Sequence, residues 1–257
     1  MQRLMLLLLL QLFVFVGCGG PSAPLALKNA KWFDFSDPKN ARPLDPNVSA
    51  ETLSKLKGIK LDLGGNELIV DSDLATIRGC KNLAMLDLYL TKITDKSMEH
   101  LVDLPLEVLV INQTELGDEA LVSIGKIKTL RRLELFDTNV TDAGLKHIIG
   151  LPLFRIDLSK TSVTNAGMED VAKIAGLERL ILSNTSISDA GLAPIGTIDT
   201  LQELSLYQSG EITDVGLKHL HNLKSLKALF LGDSRYTPEG LRELRSALPR
   251  CQIAAND

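Results

Sequence analysis

Aromatic residues are scarce in this 257-residue chain, at 4%: seven Phe, three Tyr and a single Trp. A core built almost without rings must be built from aliphatic side chains, and the 45% hydrophobic share supplies them. A cationic excess is missing as well. Lys and Arg number 28 against 32 Asp and Glu, a formal charge of −4, which lacks the electrostatic footprint of a nucleic-acid binder. Catalytic signatures are absent too: there is no G-x-S-x-G, no phosphate-binding P-loop, no H-E-x-x-H and no paired C-x-x-C. Neither an enzyme nor a cofactor is expected.

Long apolar runs are limited to one. Leu4 to Val16 is largely apolar and follows the lone cation Arg3. Thirteen residues of helix reach roughly 20 Å, short of the roughly 30 Å hydrocarbon core, so a secretory signal over 1–17 fits better than a transmembrane helix. Gly17-Cys18 followed by Gly19-Gly20-Pro21-Ser22 resembles the bacterial lipoprotein signal, with Phe15 standing where that family prefers Leu. The resemblance implies cleavage after Gly17, lipidation of Cys18 and a location exported to the bacterial cell envelope. Gly19, in place of a retention Asp, leans toward the outer-membrane side.

Lipidation also accounts for an odd cysteine count: Cys18, Cys80 and Cys251. Residues 18–55 hold the lipidated Cys, a Pro-containing tether and an N-terminal cap in which Trp32-Phe33-Asp34-Phe35 covers an open edge. The remainder, 56–257, is repetitive.

The repeat is L-x-x-L-x-L, two residues, Thr or Ser, an aliphatic, Thr/Ser, Asp/Asn, two residues including Gly, then Leu. Leu130 to Leu145 and Leu177 to Leu192 are the clearest copies. The last aliphatic of each triplet falls at Leu63, Leu88, Ile111, Leu135, Leu158, Leu182, Leu206 and Leu231, spaced 25, 23, 24, 23, 24, 24 and 25 residues apart. A truncated ninth copy runs Leu248 to Ile253, with Cys251 as a small hydrophobe. Period-2 aliphatics predict a strand with one buried face. The segment after the turn predicts a helix of two to three turns, opened by Thr94, Thr141, Thr164, Ser188, Thr213 or Thr237 as N-cap. Asp95, Asp142, Asp189 and Asp214 follow at the positive end of the helix dipole. Neither strand nor helix is stable alone, so the copies must stack as parallel strands.

These residues resemble the leucine-rich repeat family from about residue 56 to 253, and the T-D-x-G-L spacing is similar to its cysteine-containing, F-box-associated type. The resemblance implies an α/β solenoid: a curved horseshoe segment of about eight repeats plus a terminal strand, with a parallel sheet on the concave face and short helices on the convex face. Thr91, Thr114, Thr138, Thr161, Thr185, Ser209 and Ser234 depart from the Asn or Cys usual at the inward turn, and only Asn66 keeps Asn. A buried hydroxyl there is expected to bond the loop backbone of the next copy. No F-box precedes the repeats, so the ubiquitin-ligase role of that type is not carried over. Seven strand steps separate Cys80 from Cys251 by roughly 35 Å, beyond disulfide reach, so no intramolecular disulfide is expected. His100, His147 and His219 share one helix position and read as repeated surface features, and His219 and His221 do not face one way, so no metal site is expected.

Outward strand positions then form columns. One contains Arg132, Arg155 and Arg179 on successive copies, about 5 Å apart. The next contains Glu134 and Asp157, which make either a salt-bridged ladder or the backing of an anionic docking patch. Tyr89, Val110, Phe136, Ile181, Tyr207 and Phe230 are expected to be exposed on the same face, a composition found in binding hot spots. The expectation is a non-catalytic, membrane-anchored, monomeric module. It binds a protein or other envelope ligand through Tyr89, Arg132, Glu134, Phe136, Arg155, Asp157, Arg179, Ile181, Tyr207 and Phe230. The alternative is a structural spacer of the envelope without a specific ligand.

Overall fold

The computed structural model describes residues 31–34, 42–43, 55–232 and 235–255. The signal segment, Cys18, most of the tether, Phe35 and Ser234 lie outside the described residues.

Each leucine triplet forms a strand. The strands are β1 (Lys31–Asp34), β2 (Arg42–Pro43), β3 (Ile59–Asp62), β4 (Leu83–Asp87), β5 (Val108–Val110), β6 (Arg132–Glu134), β7 (Arg155–Asp157), β8 (Arg179–Ile181), β9 (Glu203–Leu206), β10 (Ala228–Leu231) and β11 (Gln252–Ala254). They make one sheet in which β3 to β11 lie side by side in chain order, all parallel. On the free side of β3 the chain adds β1 antiparallel, with Trp32 opposite Leu61 and Phe33 opposite Lys60, and then β2 outside it. An edge strand that would otherwise present unpaired backbone groups is thereby covered.

Register comes from the alternation of the sequence. Leu61, Leu86, Leu109, Leu133, Ile156, Leu180, Leu204 and Leu229 pair in one row across the sheet, and each is fully buried. A one-residue slip would turn that row to solvent. Leu145, Ile148, Leu192, Ile195, Leu217 and Leu220 close the core from the helix side. Each such side chain contributes about 1.5–3 kcal/mol on burial, and only the neighbouring copy offers the surface to bury it against.

The helical segments span one to almost three turns. They are α1 (Asp71–Leu74), α2 (Asp118–Ile124), α3 (Asp142–Leu145), α4 (Met168–Val171), α5 (Asp189–Ile195), α6 (Asp214–His219) and α7 (Pro238–Ala247), with 3-10 segments at Ala75–Ile77, Asp95–His100, Asn165–Gly167 and Leu220–Asn222. Most copies come close to the two turns expected, and Asp142–Leu145 is a single turn. The last helix, starting with Pro238 after Thr237, is the longest.

Two expectations about the bends are corrected. The buried hydroxyls do not reach the next copy. Thr91, Thr114, Thr138, Thr161 and Thr185 donate to the carbonyl three residues back, at Leu88, Ile111, Leu135, Leu158 and Leu182, over 2.6–2.7 Å. Among the described residues of this set, only Ser209 leaves its own copy, donating back to Leu182 O at 2.8 Å. The reason is the residue before each of them. Leu90, Gln113, Asp137, Lys160, Asn184 and Gln208 all have φ between 52° and 57°, a left-handed bend after which the five threonine hydroxyls turn back onto the strand end while Ser209 reaches Leu182. Gly65 takes the bend in the first copy.

The second correction concerns the acids that follow the caps. Their carboxylates do more than face the helix dipole. Asp71, Asp118, Asp142, Asp189 and Asp214 each accept two bonds from the next copy's cap, Thr94, Thr141, Thr164, Thr213 and Thr237. One bond comes from the backbone N–H (2.6–2.8 Å) and one from the hydroxyl (2.6–2.7 Å). Asp95 accepts from Gly117 N at 2.7 Å, and Asn165 both accepts from Ser188 N and donates to Ser188 Oγ. A continuous clamp thus runs from Asp71 to Thr237. It also explains the Gly of T-D-x-G-L: a Cβ on Gly144, Gly167, Gly191, Gly216 or Gly240 would overlap Oδ1 of the preceding copy's Asp or Asn. Thr141, Thr164, Thr213 and Thr237 cap their own helices as expected, while Thr94 and Ser188 make no such bond.

Cys251 is free, so it is not bridged to Cys80. Cys80 is fully buried.

Asp142→Ala removes two clamp bonds and should cost about 1–2 kcal/mol in urea unfolding. Gly167→Ala should cost about 1–3 kcal/mol by overpacking. Because both act on one contact, the alanine at 167 should cost clearly less in the Asp142→Ala background. Strict additivity in this double-mutant cycle would refute the clamp.

Candidate functional site on the concave sheet

The sheet face away from the helices carries the polar and aromatic strand positions. Its first column pairs Lys60, Met85, Val108, Arg132, Arg155, Arg179, Glu203 and Ala228 strand by strand. The second pairs Asp62, Asp87, Val110, Glu134, Asp157, Ile181, Ser205 and Phe230. Both columns follow from the triplets, because the period of 2 fixes which residues share a face.

At the centre, the structure brings Arg132, Glu134 and Arg155 together. Oε1 of Glu134 accepts from Nε of Arg132 at 2.5 Å and from Nε of Arg155 at 2.7 Å. Glu134 is buried, whereas the two arginines reach solvent. Asp157 does not join them. Its Oδ1 accepts from Ser159 N at 2.9 Å, and burial pushes its carboxyl above the ordinary value despite that bond. Arg179 turns instead to Glu203 on the adjacent strand, 3.4 Å away. Geometrically this is the salt-bridged ladder, with Glu203 as a partner that the column order could have indicated.

The rings divide into two kinds. Tyr89, Tyr207 and Phe230 are exposed. Phe136 is half-buried, with Lys160 Nζ 5.0 Å from its ring centre. Sequence columns missed Lys160 because it occupies the left-handed bend, whose side-chain direction strand alternation does not give. Ile181 is half-buried, and beside it Ser183 Oγ and Ser205 Oγ lie 2.9 Å apart. Val110, expected outside, is only 8% exposed. Its strand neighbours on that face are Asp87 and Glu134.

Nearer the N-terminal end, Asp62 and Asp87 sit opposite each other, with Lys60 Nζ 3.6 Å from Asp62. Asp87 accepts from Tyr89 N at 3.2 Å. Burial raises its carboxyl above the usual range against that bond, and the charge of Asp62 adds to the rise. On the helix side, His147 and His219 are exposed and His100 Nδ1 meets Arg78 Nη2 at 3.0 Å. Among the described residues, no group of three His, Cys, Asp or Glu is placed to hold a metal ion, and no helix is long and apolar enough to cross a membrane.

The architecture is that of a leucine-rich-repeat solenoid. A family model described as "Leucine Rich repeat" matches residues 126–148, one copy of the period. Among solved structures, the chain is similar to internalin C2 of Listeria monocytogenes, with 21% identity and a TM-score of 0.62 over 81% of this chain and 84% of that one. It also matches a plant peptide hormone receptor, RGFR1 in complex with RGF2, at 20% identity and a TM-score of 0.45. That match covers 81% of this chain but 38% of the receptor. No curated protein matches the sequence.

Two outcomes test the electrostatics. Glu134→Gln should destabilise by about 1–2 kcal/mol in denaturant unfolding, less than a fully buried pair because the arginines are solvated. Asp87 has a folded pKa above its unfolded value of 3.8, so its stabilising contribution is complete below pH 3.8 and is lost as pH rises through the folded value. Asp87→Asn, which keeps the acceptor for Tyr89 N, should raise the melting temperature at pH 7 and flatten the pH dependence above 3.8. An unchanged or lowered melting temperature at pH 7 would contradict this.

Proposed function

We propose that this protein is a non-catalytic recognition module, exported and held to the cell envelope by a lipid on Cys18, that binds a protein partner on its concave sheet. The observation that carries the reading is the outward face itself. Exposed Tyr89, Tyr207 and Phe230 stand in register with a fixed charged centre on a sheet whose other side is wholly aliphatic. Rings and arginines on a rigid surface supply large contact area at small entropic cost. Nothing in the repeat logic requires rings there, since those positions face away from the core. The fold shared with internalin C2 is consistent with such a module. The export signal and the lipid rest on the sequence around Gly17-Cys18.

A spacer of the envelope is the second reading, and the internal neutralisation of the arginines favours it, because a surface that binds nothing must still avoid self-repulsion. Crosslinking the anchored protein in its own envelope separates the two. With the double variant Arg155→Glu and Phe136→Ala, a partner captured by the wild type should be lost while the unfolding curve still shows a folded protein. Undiminished capture would reject the concave site, and self-association with no partner would favour the spacer. Cys18→Ser should abolish lipid incorporation. The intact mass should show a thioether-linked lipid on Cys18, and a mass two hydrogens short with no lipid would overturn the anchor.

A further inference from the structure

The three arginines of the first column share a feature that neutralisation alone does not require. Arg132, Arg155 and Arg179 each meet their acid through Nε, the inner nitrogen of the guanidinium. Among the described residues, no side chain other than these acids bonds them. Their side chains are 40%, 21% and 48% exposed, whereas Glu134 below them is 5% exposed. Glu134 therefore lies below Arg132 and Arg155, while Glu203, 30% exposed, stands beside Arg179. A guanidinium held by Nε keeps its terminal N–H groups for a second acceptor, and that fork matches a carboxylate in two-point geometry.

Strand spacing sets the three forks in a row about 10 Å long. Side chains on one face of an extended peptide repeat about every 6–7 Å, so two carboxylates two residues apart fit within the row. Phe136 and Tyr207 stand in the turns that follow β6 and β9, and they are the rings offered to an apolar group next to the acids.

We infer that the concave centre docks an acidic, extended segment of a protein partner, with Asp or Glu side chains bridging the forks of Arg132, Arg155 and Arg179. This deepens the proposed function and rests on it for the location of the face. The match of guanidinium fork to carboxylate selects the partner. Glu134 holds the guanidinium groups of Arg132 and Arg155 in place before any ligand arrives, which lowers the ordering cost of binding.

The test uses the folded chain and fluorescent octapeptides containing two alternate Glu residues beside a Phe, with a Gln-for-Glu peptide as control. Fluorescence anisotropy should show binding of the Glu peptide that weakens steeply with added salt and is at least tenfold tighter than that of the Gln peptide. Arg132→Gln and Arg179→Gln should each weaken it about tenfold, and Lys218→Gln on the helix side should not change it. Circular dichroism melts would verify that each variant is folded. Equal binding of the two peptides, no binding of either, or indifference to both arginine variants overturns the inference. Anionic vesicles binding where the peptide does not would overturn it in favour of a lipid surface. A partner still captured in the envelope through the concave face, with no preference for carboxylates, sinks the inference alone and leaves the recognition reading standing.

Discussion

Stacking is the constraint on which every other feature depends. No single copy can bury its own leucines, and no single helix of four to ten residues would persist in water. The fully buried row from Leu61 to Leu229 exists only because eight strands share one register. The Asp-to-Thr clamp does on the polar side what the aliphatic row does in the core. Each junction receives a directional bond as well as a packed contact, so the angle between copies is set rather than merely tolerated. The glycines of the motif belong to the same device, since they leave the space that the neighbouring carboxylate fills.

The sheet face follows from that rigidity. Because strand register is fixed by the core, side chains on the opposite face have no freedom to choose their neighbours. Three arginines are forced to within one strand step of each other, and the repulsion is relieved by placing Glu134 beneath two of them and Glu203 beside the third. Asp157, equally close in sequence, is held by Ser159 instead, so column order alone does not settle pairing. Burial raises the carboxyl pKa of both Asp87 and Asp157, and at Asp87 the charge of Asp62 adds to it.

The comparisons fit a fold that tolerates wide sequence change. A likeness of 21% identity over most of both chains with internalin C2 is what a solenoid permits when only the aliphatic positions are constrained. Surface columns are then free to differ, and whatever specificity this chain has must be sought in its own residues.

Much of the architecture was legible in the residues because its causes are local and periodic. The 23–25-residue spacing and the alternation within each triplet determined the strands, their parallel order, the buried row and the membership of the outward columns. Three things were decided only by the tertiary structure. The left-handed bend at Leu90, Gln113, Asp137, Lys160, Asn184 and Gln208 carries no common side chain, and after all but the last of these the hydroxyl turns onto its own strand. The second bonding partner of each Asp lies about two dozen residues away, in a copy that sequence spacing does not orient. The choice of Glu134 over Asp157 as the arginine partner depends on side-chain length and on a competing backbone N–H. Periodicity determines which residues share a face, while hydrogen bonds between copies depend on distances that exist only after the coils have stacked.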